Sequence, residues 1–281
     1  MERTEAHLLN KELKFAILID ADNISEKYIK IILDEAAKTG IATYKRIYGD
    51  WTNPQLTSWK RVLLDNSIIP IQQYGYTTGK SATDSAMIID AMDILYSGTV
   101  DGFCLASSDS DFTRLAARLR ESGMHVIGMG ESKTPKPFIS ACNQFKYLDI
   151  LLSNESGPEK EIDQPADLEK APSSTKKGRV ASKKAKTKPK EPEPQTNLNM
   201  IKKAILTLVD ECSDDDGWIF SAELGNQLAK RFPDFDVRNF GFSKFTPFIN
   251  SLGLFDVKRN QASSNSNVQL VYFKIKESER K

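Results

Sequence analysis

Short apolar runs alternate with amphipathic segments along residues 14–152, a pattern that few folds accommodate. The segments between the runs space their apolar residues as helices do. Strands that alternate with helices in this way form a parallel sheet with helices on both faces. The sequence therefore predicts an α/β domain, and Pro70 indicates that the third strand lies at an edge or a bulge. The predicted strands lie at residues 14–19, 41–48, 68–74, 103–106 and 125–129, and a last run at 145–152 is expected to end the sheet.

The same pattern divides the chain into three parts. The α/β unit takes residues 1–152, and residues 153–197 lack apolar periodicity and are rich in Pro, Ser, Lys and Glu, which predicts a disordered linker. Within it, residues 176–190 carry eight basic residues and no acidic one. This run is either a solvated tether or an arm that attracts nucleic acid. Residues 198–281 have three helical segments followed by a two-strand pattern, which predicts a small winged helix.

Composition excludes several classes of protein. The 281 residues include three cysteines that are far apart, which argues against a disulfide framework and a zinc ribbon. No apolar stretch approaches the about 20 residues needed to cross a bilayer, so we expect no membrane association and a cytoplasmic location. The two histidines are His7, near the terminus, and His125, within an apolar run. Any chemistry must therefore depend on carboxylates.

Acidic residues occur at three places where the predicted elements begin or end. Asp20 directly follows the first strand, Asp109 and Asp111 follow the fourth, and Asp84 begins a helix. Because the carboxyl ends of parallel strands line one crevice, these side chains can converge although they are far apart in sequence. A divalent cation would relieve their mutual repulsion, and oxygen-only ligands favour Mg²⁺ or Mn²⁺.

Each of these acids also has a purely structural interpretation. Asp84 could cap its own helix, and Asp109 or Asp111 could cap the helix that begins near residue 112. Further along the helix that Asp84 begins, Asp90 and Asp93 are expected on a solvated face. For a single acid the structural and functional alternatives both stay open, whereas three separate sites favour a shared function.

Three motifs in this order resemble the NYN family of PIN-like nucleases. They are Asp20-x-x-Asn23, Lys80-x-x-x-Asp84 and the stretch Ser-Ser-Asp-Ser-Asp-Phe at residues 107–112, with Tyr-Gly-Asp-Trp at 48–51 between the first two. The family often has Lys-Gly before its second acid, whereas Ser-Ala-Thr stands between Lys80 and Asp84 here. The resemblance covers residues 14–152.

This resemblance implies a three-layer PIN-like domain that binds Mg²⁺ or Mn²⁺ through Asp20, Asp84 and Asp109. It also implies that Asn23 positions the metal or the substrate and that Asp111 supports the site. Lys80 is then a candidate phosphate contact, with an ordinary loop lysine as the alternative.

Residues 217–225, 232–245 and 253–257 resemble the OST-HTH/LOTUS domain. The family is an RNA-binding winged helix that sometimes binds proteins, so the resemblance allows a homodimer or a protein partner through this domain. Its phenylalanines are expected in the core. The candidate phosphate contacts are Arg238, Lys244, Lys258 and Arg259, with solvated surface charge as the alternative.

Together these features predict a metal-dependent endoribonuclease that leaves a 5′-phosphate and a 3′-hydroxyl, and the preference for RNA over DNA rests on the resemblance alone. A second hypothesis is a non-catalytic RNA-binding or adaptor protein with a vestigial acidic site. A third interprets Asp20-Ala-Asp22 as the acid pair of a haloacid-dehalogenase-like phosphatase. That reading ranks lowest because Asn23 stands where the phosphatases usually have Thr or Val.

Overall fold

A computed structural model describes residues 12–74, 82–156, 194–261 and 269–279. The first part forms a parallel sheet of six strands in the order β3-β2-β1-β4-β5-β6. The predicted α/β class is therefore confirmed, and Pro70 lies in an edge strand as expected. The strands are β1 (Lys14–Asp20), β2 (Ile41–Gly49), β3 (Ile69–Gln72), β4 (Gly102–Ala106), β5 (His125–Gly130) and β6 (Gln144–Tyr147).

Helices cover both faces of this sheet and form three layers with it. Alternate residues of β1 contribute to different cores, with Ile17 packed on one face and Leu18 on the other. The Ile17 face packs against α1 (Ile29–Ala37), α2 (Trp59–Asp65) and α6 (Leu148–Ser156). The Leu18 face packs against α3 (Ala82–Ser97), α4 (Thr113–Glu121) and α5 (Lys136–Ala141). Both faces of β1 are thus buried, which explains its continuous apolar sequence.

One predicted strand is wrong over most of its length. The run at residues 145–152 was expected to be a strand, but β6 ends at Tyr147 and α6 begins at Leu148. Leu148 and Leu151 face the same core as Ile32 of α1. The helix places them there because residues three apart lie on one face of a helix.

The C-terminal part is a helical domain with a small antiparallel sheet, as predicted for a winged helix. Its core includes Ile205, Leu228, Phe248 and Phe273, all buried. The sheet has the order β7-β9-β8. The elements are α7 (Leu198–Cys212), β7 (Ile219–Phe220), α8 (Ser221–Arg231), α9 (Phe245–Ser251), β8 (Phe255–Gln261) and β9 (Gln269–Ile275).

The two domains are in contact along β6, the edge strand of the large sheet. The backbone N–H of Phe145 donates to the carbonyl of Pro233 at 2.7 Å, and the Tyr147 hydroxyl donates to Asp234 at 2.9 Å. The winged-helix domain therefore satisfies part of an edge that would otherwise be open to pairing.

Two predicted features cannot be compared with the structure because they lie outside the residues that it describes. Most of the predicted linker, including the basic run at 176–190, lies outside the described residues, and so does Lys80. None of the helices in the described ranges combines the length and apolarity that crossing a membrane requires.

Candidate metal and nucleic-acid site

The acidic residues lie at the carboxyl ends of the two central strands. β1 ends at Asp20, and the neighbouring strand β4 ends at Ala106, just before the loop that contains Asp109. The chain runs from β1 outward through β2 and β3, then returns to β4 on the other side of β1. The strand order reverses there, and open α/β sheets bind ligands in the crevice at such a point.

Three carboxylates meet in this crevice. Oxygens of Asp84, Asp109 and Asp111 lie within 4.8 Å of one another. Asp84 comes from the first turn of α3, and the other two come from the loop after β4. One small cation can contact all three at this spacing, and carboxylate oxygens are ligands that Mg²⁺ and Mn²⁺ prefer. We call these three residues the acidic cluster.

Asp20 lies next to the acidic cluster but is more deeply buried, with 2% of its surface exposed. Its carboxylate accepts hydrogen bonds from the Ser107 hydroxyl at 2.8 Å and from the Asp22 N–H at 3.2 Å. The pKa of Asp20 is raised to about 7, chiefly by burial, with the Ser107 hydrogen bond acting against it and the charges of Asp84 and Asp22 adding to it. Asp20 therefore responds electrostatically to a member of the acidic cluster.

The predicted metal set of Asp20, Asp84 and Asp109 shares two residues with the acidic cluster. Among the described residues, Asp111 belongs to the cluster and Asp20 lies outside it at this distance. Asp109 is also a helix cap, as the structural alternative predicted. One oxygen of its carboxylate accepts the Asp111 N–H at 2.9 Å and so caps a short 3-10 turn. That hydrogen bond leaves the second oxygen of the Asp109 carboxylate for another ligand.

Two buried serines fix the loop that carries Asp109. The Ser107 hydroxyl accepts the Asp109 N–H at 3.0 Å while it donates to Asp20. The Ser108 hydroxyl accepts the Glu131 N–H at 2.9 Å, which ties the loop to the end of β5. A Cβ atom on Gly130 would lie 2.6 Å from the Ser107 carbonyl oxygen. Ser107 and Ser108 belong to the motif that carries the NYN resemblance, but sequence reasoning assigned no role to either serine or to Gly130, because it does not show which groups their hydroxyls and backbone contact.

Asp22 and Asn23 lie beside the acidic cluster on the loop after β1. The Asp22 carboxylate accepts the Thr83 hydroxyl at 2.9 Å, so this loop is attached to the start of α3. Asn23 is half-buried and lines a polar cleft of about 300 Å³ together with Asn53 and Gln55. The loop after β1 therefore forms part of the cleft wall.

Asp90 has a different environment from the solvated face that was expected. It is half-buried, and its carboxylate accepts hydrogen bonds from Arg46 and the Tyr48 hydroxyl of β2. These bonds attach α3 to the sheet and thereby hold the first turn that carries Asp84. Asp93 is exposed, as expected.

The predicted phosphate contacts of the winged-helix domain have different environments. Arg238 lies in the contact between the domains, where it forms ion pairs with Glu35 of α1 and with Asp236. Lys244, which precedes α9, is exposed. Lys258 and Arg259 are exposed on β8.

The first domain is thus a three-layer parallel-sheet domain with carboxylates at its point of strand reversal, and it is joined to a winged-helix domain. Comparison with family models agrees: residues 14–149 match the NYN domain and residues 196–266 match the OST-HTH/LOTUS domain. The chain thus contains an NYN domain followed by an OST-HTH/LOTUS domain. These two domains support a nuclease or RNA-binding role. NYN nucleases typically use divalent metals, and the acidic cluster offers a site for one.

One solved structure is similar to about half of this chain. A protein of unknown function from Vibrio parahaemolyticus has a crystal structure that is similar over 49% of this chain and 94% of its own, with 19% identity and a TM-score of 0.42. A similarity at this level informs neither the fold nor the function. Comparison with curated proteins gave no match.

Proposed function

We propose that this protein is a metal-dependent endoribonuclease whose catalytic site is the crevice between β1 and β4. The observation that carries the proposal is the acidic cluster, in which three carboxylates from two separate segments lie within 4.8 Å of one another. An all-carboxylate donor set suits Mg²⁺ or Mn²⁺. When bound, such an ion neutralises charge on a phosphodiester and activates water for attack.

Asp84, Asp109 and Asp111 would hold the ion, and Asp20 would support them. Asp20 is suited to this role because its buried carboxylate receives the Ser107 hydroxyl, and Ser107 in turn receives the N–H of Asp109. A displacement of Asp20 would therefore move the loop that carries two of the three acids. As the family resemblance implies, Asp20 would in addition contact the ion directly once it is bound.

The polar cleft beside Asn23 is the proposed place for the nucleotide next to the scissile bond. Its amide side chains, Asn23, Asn53 and Gln55, offer both donors and acceptors to a ribose or a base edge. Asp22 also lines the cleft, and its carboxylate accepts the Thr83 hydroxyl of α3. The loop after β1 lines the cleft and is attached through Asp22 to Thr83, the residue before Asp84, so a nucleotide held in the cleft would have its phosphate directed toward the acidic cluster.

RNA would be held nearby by the OST-HTH/LOTUS domain. Lys244 is exposed and is available to phosphate, and Lys80 remains a proposed contact. Arg238 is less suited to this role than the sequence indicated, because its guanidinium already binds two carboxylates at the domain contact. Contact of Arg238 with phosphate would require those ion pairs to break.

The decisive experiment compares cleavage by wild-type protein and by Asp109→Asn and Asp111→Asn, with Asp93→Asn as a control for charge on an exposed residue. The substrates are a labelled single-stranded RNA and the DNA of the same sequence, with Mn²⁺ or with a chelator. We expect cleavage of the RNA by wild type and by Asp93→Asn, and loss of cleavage in the two cluster variants and with the chelator. Tight RNA binding without any product would favour the non-catalytic adaptor and refute the proposal.

A further inference from the structure

The outer face of the small antiparallel sheet carries a row of aromatic side chains. Tyr272 of β9 lies opposite Phe220 of β7 on one side and opposite Lys258 of β8 on the other. Directly opposed residues of antiparallel strands point to the same face. Trp218 precedes Phe220 by two positions and Lys274 follows Tyr272 by two, so strand alternation places both on this face as well.

The opposite face of the sheet packs on the domain core. Ile219 and Phe273, which alternate with the aromatic row, are buried in the hydrophobic core of the domain. By contrast, Trp218, Phe220 and Tyr272 are half-buried and lie outside that core cluster. Most phenylalanines of this domain pack in or against its core, whereas these three aromatic side chains do not.

Two lysines add positive charge to the aromatic row. The ammonium groups of Lys258 and Lys274 lie 5.7 and 5.8 Å from the centre of the Trp218 ring. Acidic side chains border the row too, since Asp256 lies opposite Lys274 and the Asp214 carboxylate contacts the backbone of Trp218. The face therefore combines flat aromatic surfaces with cations next to them.

The tight turn before β7 holds Trp218 in position. The Trp218 N–H donates to the Asp214 carboxylate at 2.7 Å, and its carbonyl accepts the Asp214 N–H at 2.9 Å. Gly217 has φ 82°, which a residue with a side chain rarely adopts. Phe220 and Tyr272 are also ordered against each other, with ring centroids 5.5 Å apart. Because the backbone of Trp218 and the Phe220–Tyr272 ring pair are ordered before any ligand binds, less entropy is lost when a planar group stacks on this face.

We propose that this outer face binds single-stranded RNA, with unpaired bases stacked on Trp218 and on the Phe220–Tyr272 pair and with phosphates at Lys258 and Lys274. Proteins that hold single strands combine aromatic platforms with basic side chains along the backbone in this way. A double helix does not fit, because its bases are already stacked and expose only their edges. The proposal rests on the proposed function for the class of ligand, but its site is separate from the acidic cluster.

Binding is tested on full-length protein carrying Asp109→Asn in the presence of a chelator, so that cleavage plays no part in the measurement. The probe is a labelled single-stranded RNA, with the duplex of the same sequence as a second ligand. We expect Trp218→Leu, and separately the double variant Lys258→Gln with Lys274→Gln, to weaken binding of the single strand by about 10-fold each. The matched control is Lys203→Gln, an exposed lysine on α7, which should bind as the parent does.

A second readout separates stacking from a merely structural role of Trp218. Indole fluorescence should be quenched by the single strand in the parent protein, and this quenching should be lost in Trp218→Phe. Unchanged affinity in both the Trp218→Leu and the double-lysine variants would overturn the proposal, as would equally tight binding of duplex and single strand. Self-association that these substitutions abolish, with RNA binding intact, would assign the face to a protein contact instead. Failure to cleave RNA bears only on the acidic cluster, because this assay requires no cleavage.

Discussion

Glu35 and Arg238, 203 positions apart in the sequence, form a two-pronged ion pair with N–O distances of 2.7 and 2.8 Å. Glu35 comes from α1 of the NYN domain and Arg238 from the turn before α9 in the OST-HTH/LOTUS domain. Asp236 binds the same guanidinium, and Lys146 of β6 binds Asp236. This network joins the domains on the side of β6, at the far edge of the sheet from β3. These charged side chains therefore add to the backbone and hydroxyl contacts that fix the OST-HTH/LOTUS domain relative to the crevice of the acidic cluster.

Replacing Glu35 by glutamine should loosen this contact. The Glu35 side chain is only 5% exposed, so the loss of its charge leaves Arg238 partly buried with one carboxylate fewer. We expect Glu35→Gln to lower the free energy of unfolding by about 2 kcal/mol, measured by urea denaturation. The matched control is Asp34→Asn, the exposed neighbour on the same helix, which should change stability by less than about 0.5 kcal/mol. Equal stability of the two variants would show that the ion pair contributes nothing to the contact.

Stability of the wild type should also fall in acid through this pair. Burial alone would raise the pKa of Glu35, but hydrogen bonds from Arg238 and Lys38 outweigh it and lower the pKa to about 2. The pKa of a glutamate in an unfolded chain is about 4.3, so the stabilisation is fully present above that pH and is lost as the pH falls toward about 2. We expect the difference in melting temperature between wild type and Glu35→Gln to shrink between pH about 5 and pH about 3. A difference that stays constant over this range would contradict the assignment.

The sequence predicts the parts of the fold that carry a periodic pattern. The apolar strands that end at Asp20 and before Asp109 are identifiable because both faces of a central parallel strand are buried. The secondary structure of residues 148–152 cannot be identified from the sequence, because a short apolar run is equally suited to a buried strand and to a buried helix. In this chain the packing of α6 on α1 decides between them, and that contact depends on the whole fold.

The sequence also predicts only part of the acidic site. Asp20, Asp84, Asp109 and Asp111 were all identifiable as acids at element ends, with Asp20 predicted in the metal set and Asp111 as its support. Which three carboxylates approach most closely depends on how the 3-10 turn after β4 is held, and this is decided by hydroxyl and backbone contacts that no spacing encodes. The engagement of Arg238 by Glu35 could not be foreseen either, because it joins two domains.

Divalent cations should stabilise the folded protein through the acidic cluster. An ion that binds the native state alone adds stability by mass action, and at about 100 times its dissociation constant the gain is about 2.7 kcal/mol. We therefore expect Mn²⁺ or Mg²⁺ to raise the melting temperature of the wild type, and a chelator to reverse the rise. Asp109→Asn and Asp111→Asn should reduce the shift, whereas Asp93→Asn on the exposed face of α3 should retain it. A shift of the same size in the cluster variants would place the cation elsewhere.

A methyl group at Gly130 should impair the site without touching an acidic residue. The added Cβ would lie 2.6 Å from the Ser107 carbonyl oxygen and 3.0 Å from the Ser108 hydroxyl, so the loop that carries Asp109 must move. We expect Gly130→Ala to lower both the melting temperature and the rate of RNA cleavage, measured with saturating Mn²⁺. Gly225→Ala is the matched control, because nothing lies within 4 Å of its added Cβ and alanine in a helix is favoured over glycine by about 0.5–1 kcal/mol. That variant should be more stable than wild type and equally active, and wild-type cleavage by Gly130→Ala would show that the position of the loop does not limit the reaction.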